Sequence, residues 1–61
     1  SITDAYAWLN VAASNGYQDA YGFRQYLLPA LAEDELLLAQ KKSEQIYEQI
    51  RQRLPAPPDS P

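Results

Sequence analysis

The run Ala5-Tyr6-Ala7-Trp8-Leu9-Asn10-Val11-Ala12-Ala13-Ser14-Asn15-Gly16, followed by Ala20, decides the fold. Ala5, Trp8, Leu9 and Ala12 stand at i, i+3, i+4 and i+7, which is one face of a helix. Thr3 or Asp4 supplies a short side-chain oxygen to cap that helix, which is expected to run to Asn15. Asn15-Gly16 is a turn signal, and Gly16 stands where a helix ends on a left-handed residue. Ala20 falls where a second helix has to pass close to the first. The pattern predicts a packed helical pair with Trp8 in its core.

The second helix is expected from Gln18 to Ala30 or Leu31, with Asp19 in its first turn and Ala20, Phe23 and Leu27 on its inner face. Pro29 lacks the N–H of a last turn and disfavours a helical Leu28, so a kink or an early end is expected there. A third helix opens on the acids Glu33-Asp34-Glu35, which suit a positive helix N-terminus, and closes near Arg51 and Arg53. Leu36, Ala39, Ser43, Ile46, Ile50 and Leu54 step along it by three or four residues as a seam. Leu37 and Leu38 fall off that seam and make the turn apolar nearly all round, which predicts packing on two sides. From Pro55 the segment Pro-Ala-Pro-Pro-Asp-Ser-Pro reads as a polyproline-like or disordered tail. Pro55-Ala56-Pro57-Pro58 matches a PxxP ligand spacing, but with no basic neighbour beyond Arg53 the plain tail is the favoured reading. The fold class is therefore all-α: an antiparallel hairpin over residues 1–31, a long capping helix over 32–54, and a tail over 55–61.

The chain has 61 residues and neither Cys nor His, so disulfides and the common zinc arrangements are excluded. A core this small is marginal and calls for good packing, self-association or neighbouring sequence. The net charge of −3 and the lack of any basic cluster beyond Lys41-Lys42 argue against nucleic acid and anionic membranes as partners. No apolar run approaches the ~20 residues that span a bilayer, and no leader sequence is visible. The chain does not start on Met, which suggests a processed protein or a fragment.

Chemistry is weakly represented. Consecutive acids at 33–35 point in different directions and read as a helix start rather than a metal site. Ser1, Ser14, Ser43 and Ser60 have no activating base, and Gly16 and Gly22 are isolated. No catalytic, cofactor or metal residue is expected. Five tyrosines are a high number for this length, and Tyr is enriched at interfaces. Tyr6 and Asn10 at i, i+4, together with Tyr17, are candidates for direct partner contact.

Ala5, Trp8, Leu9, Ala12-Ala13, Gly16 and Ala20 resemble the SEL-one-like repeat, a relative of the tetratricopeptide repeat. The likeness covers about the first third of the chain. It departs from the family at Leu9, Val11, Arg24 and Gln25, where an aromatic, a lysine, a leucine and a glycine are usual. Leu28-Pro29-Ala30-Leu31 replaces a glycine-rich loop. The resemblance implies the end of an α-solenoid, where outer positions such as Arg24 and Gln25 turn polar and an extra helix closes the stack. It implies a protein–protein scaffold rather than an enzyme. About three repeats are usually needed to bury such faces, so self-association or a longer array is expected. The alternatives are a homo-oligomerisation module pairing through the third helix, and an acidic inhibitor of a basic protein. Helix-turn-helix DNA binding would require a basic second helix, which Asp19 and a lone Arg24 do not make.

Overall fold

The computed structural model describes residues 1–53, and these are all helical apart from short connections. Helix α1 spans Ile2–Ser14, α2 spans Gln18–Leu27, a 3₁₀ turn spans Leu28–Ala30, and α3 spans Glu33–Arg53. Leu54 of the expected seam and the Pro-rich segment 55–61 lie outside the described residues.

Local chemistry sets each boundary. The α1 cap is Ser1, ahead of the expected Thr3 or Asp4, and its hydroxyl accepts from the Asp4 N–H at 3.3 Å. At the other end Gly16 N–H donates to Ala13 C=O at 3.0 Å and Tyr17 N–H to Ala12 C=O at 3.2 Å. That pair of bonds is a Schellman motif, and it needs the positive φ of 95° that Gly16 adopts. Helix α2 ends at Leu27, as Pro29 requires, although Leu28 itself keeps helical angles of φ −53° and ψ −44°. Ahead of α3, Glu35 reaches back to accept from Ala32 N–H at 2.9 Å, and Asp34 accepts from Glu35 N–H at 2.9 Å. Two of the three acids thus satisfy free N–H groups at the helix start.

Helix α1 is the central element, packed against both α2 and α3, which touch each other far less. The three-residue turn sends α2 back antiparallel to α1. Helix α3 runs in the same sense as α1: Lys42 meets Thr3 and Asp4 near its start, and Tyr47 meets Asn10 and Ser14 further on. The core is small side chains plus one ring. Ala7 is 1 % exposed, Ala39 0 % and Ser43 4 %, with Thr3, Tyr6, Val11 and Ala20 also buried. Small residues let two helix backbones approach, and Ser43 Oγ is close enough to reach Ala7 C=O at 3.3 Å.

This turns α1 away from the orientation its sequence suggests. Trp8 is 60 % exposed rather than central, Ala5 is exposed, and Leu9 and Ala12 are half-buried. An indole between α1 and α3 would hold apart the backbones that Ala7, Ala39 and Ser43 bring together. The inner stripe is instead Thr3, Tyr6, Ala7 and Val11, which mixes polar and apolar types and is masked by the cleaner apolar stripe beside it. On α2, Ala20 is buried and Leu27 half-buried as expected, but Phe23 is exposed because Arg24 takes the inward place. On α3, Leu36 and Ile46 are half-buried, whereas Ile50 is exposed because α1 ends before it can be covered. Gly16 is an exposed turn residue and not part of the core. Leu37 and Leu38 face solvent, so the two-sided packing expected of that turn is absent among the described residues.

The two glycines predict opposite outcomes. A Cβ at either meets nothing within 4 Å. At Gly16 the left-handed backbone dominates, and Gly16→Ala is expected to cost about 1–2 kcal/mol. At Gly22, an exposed helical position, Gly22→Ala is expected to stabilise by about 0.5–1 kcal/mol. Urea denaturation followed by circular dichroism separates the two signs.

Candidate interaction cleft

A cleft of about 390 Å³ lies between α2 and α3 with α1 as its floor. Asn10, Ala13 and Ser14 form the floor, Tyr21 and Arg24 one wall, and Gln40, Ser43 and Tyr47 the other. A relay of hydrogen bonds crosses all three helices beneath it. Arg24 Nη1 donates to Asn10 Oδ1 at 3.1 Å. Asn10 Nδ2 donates to Ser43 Oγ at 3.0 Å, and Ser43 Oγ donates to Ala39 C=O at 2.9 Å. Both ends of the Asn10 amide are used, which fixes its orientation. The Arg24 guanidinium also lies 4.9 Å from the centroid of the Tyr21 ring, a cation–π distance.

Tyr47 Oη donates to Asn10 C=O at 3.1 Å, Ser14 Oγ donates to Val11 C=O at 2.9 Å, and the two hydroxyls also touch each other. Arg24 is the one formal charge in this lining, and among the described residues it forms no ion pair. Elsewhere Lys42 pairs with Asp4, and Arg51 with Glu48. The Lys42 ammonium holds the Asp4 carboxyl below the usual aspartate value, through its hydrogen bond first and its charge second.

Of the three residues expected to meet a partner, the cleft contains Asn10 alone. Tyr6 is buried, at 7 % exposure, and packs in the core. Its phenol ring supplies apolar area that the small side chains around it cannot. Tyr17 is open to solvent at the α1–α2 turn and lies outside the cleft lining. Arg24, Gln40 and Tyr47 join the site without having been expected to meet a partner. Two signals pointed there: a serine in the middle of the α3 seam, and an arginine where the repeat resemblance expects leucine. The latter is no outer capping position, since Arg24 faces α1.

Two apolar faces lie outside the cleft. Phe23 and Tyr26 flank Gly22 on the outer side of α2, and Leu37 and Leu38 lie on the outer side of α3. Among the described residues no three His, Cys, Asp or Glu side chains converge as metal ligands. No described helix is long and apolar enough to cross a membrane. No family model, curated protein or solved structure matches the chain.

Proposed function

We propose that the chain is a non-catalytic protein–protein interaction and scaffold module, resembling the C-terminal end of a SEL-one-like repeat array. The observation that carries this reading is the exposure of Trp8 at 60 % and Phe23 at 63 %, on the two helices of the hairpin. Phe23 shares one exposed patch with Tyr26, Trp8 leaves a second large ring in water, and exposed apolar patches mark contact sites. In an array, a neighbouring repeat covers such faces. The Schellman turn at Gly16, the burial of Ala20, and an α3 lying alongside α1 in the same direction support the repeat resemblance. The indole does not contribute by nesting among alanines; it serves as an outward contact residue. Homo-oligomerisation through the α3 seam is the weaker reading, because Ala39 and Ser43 are already engaged against α1.

An isolated chain with these faces open is expected to self-associate. Light scattering at high micromolar concentration should give a mass above the monomer. Trp8→Ser with Phe23→Ser should return it to monomer with unchanged helicity. A native chain that stays monomeric throughout overturns the reading.

A further inference from the structure

We propose that the cleft between α2 and α3 binds a carboxylate presented by a partner peptide, with Arg24 as its charged anchor. The inference deepens the interaction reading and rests on it for the nature of the partner. In a chain with 8 acidic residues and net charge −3, Arg24 sits among neutral side chains and forms no ion pair among the described residues. A guanidinium is a planar fork that matches the two oxygens of a carboxylate.

This one is held in place before any ligand arrives. Asn10 receives one N–H at 3.1 Å, the Tyr21 ring supports the group at 4.9 Å, and Asn10 is itself locked by Ser43 at 3.0 Å. Holding the fork still lowers the ordering cost of binding. The remaining guanidinium N–H groups have no protein acceptor among the described residues. Tyr47 on the facing wall and Ser14 on the floor carry one hydroxyl hydrogen each. Each already donates it to a backbone carbonyl, Tyr47 to Asn10 and Ser14 to Val11, so the donors for an incoming carboxylate come from the guanidinium. A volume of about 390 Å³ accommodates an acidic side chain or a chain terminus with its flanking residues. One cation matches the single charge of a carboxylate. A phosphate group carries about −1.5 to −2 and would be undercompensated here.

The test is a ¹⁵N NMR titration of the whole chain at low micromolar concentration. Three probes are used: a capped Ala-Glu-Ala peptide, an acetylated tri-alanine with a free C-terminus, and a capped Ala-Gln-Ala. At least one carboxylate probe should give saturable shifts at the Arg24 Nε–H and the Asn10 side-chain amide. The neutral probe should bind at least about tenfold more weakly, as the loss of a charge-assisted pair implies. Saturation by the Glu probe alone assigns a side-chain carboxylate, and by the tri-alanine alone a chain terminus. Arg24→Gln should abolish the shifts. Arg24→Lys, which keeps charge without the fork, should retain weakened binding and guards against a Gln variant that fails to fold. Equal shifts from the neutral probe, undiminished binding by Arg24→Gln, or no saturation by either carboxylate overturns the proposal. If that failure accompanies self-association through Trp8 and Phe23, the cleft assignment falls and the interaction reading stands. If a strictly monomeric chain binds the carboxylate, the cleft assignment stands and the reading from Trp8 and Phe23 falls.

Discussion

Tyr6→Ala is expected to destabilise the chain by about 3 kcal/mol, and Trp8→Ala by less than about 1 kcal/mol. Residue type alone would rank them the other way, since Trp is the larger side chain. Exposure decides: Tyr6 is 7 % exposed and Trp8 60 %. Truncating Tyr6 removes the one large ring of a buried core otherwise made of Ala, Val, Thr and Ser. Truncating Trp8 removes area that water already wets. A domain this small has only a few kcal/mol in reserve, so Tyr6→Ala should be largely unfolded at room temperature. Urea melts of both variants at low micromolar concentration provide the measurement. Equal losses would place the indole inside and reverse the orientation of α1. At high concentration Trp8→Ala should weaken stability further only where association buries the indole, which ties this result to the proposed interface.

The three helices and most of their ends were legible because each rests on local chemistry, although α1 is capped by Ser1 and not by Thr3 or Asp4, and α2 gives way to a 3₁₀ turn after Leu27. Gly16 ends α1 through its own backbone angle, Pro29 ends α2, and the acids at 33–35 open α3. None of these depends on what lies across the fold. The inward faces were harder to read, since they depend on which helix sits beside which. Periodicity marks a stripe of apolar residues, but Ala5, Trp8, Leu9 and Ala12 make a stripe that faces partly outward here. The true seam pairs Ala7 with Ala39 and Ser43, and small residues give a weak hydrophobic signal. Ser43 is the polar member of the α3 seam and reaches across to α1, satisfied by Asn10 and by Ala39 C=O. The cleft was legible only at Asn10, because Arg24 and Tyr47 reach it from helices far apart in sequence.

Ala39→Leu is the second large effect expected, at about 3 kcal/mol, the upper end for overpacking. Ala39 is 0 % exposed and lies in the same seam as Ser43. Three added carbons have no free space and must push α3 away from α1. The Ser43 Oγ contact with Ala7 C=O, at 3.3 Å, would break first. The Asn10–Ser43 bond at 3.0 Å would follow, leaving the Asn10 amide N–H₂ without its partner. Asn10 is half-buried on the cleft floor, where water can take up the freed N–H, so the overpacking itself sets the size of the loss. Ala39→Gly relieves no clash and removes helix propensity, for an expected loss of about 1 kcal/mol. Destabilisation in both directions of size is the signature of a backbone-contact position. It should be accompanied in Ala39→Leu by accelerated hydrogen exchange of the Asn10 side-chain amide. A leucine variant as stable as the native chain would mean that α3 is not seated on α1 through this seam.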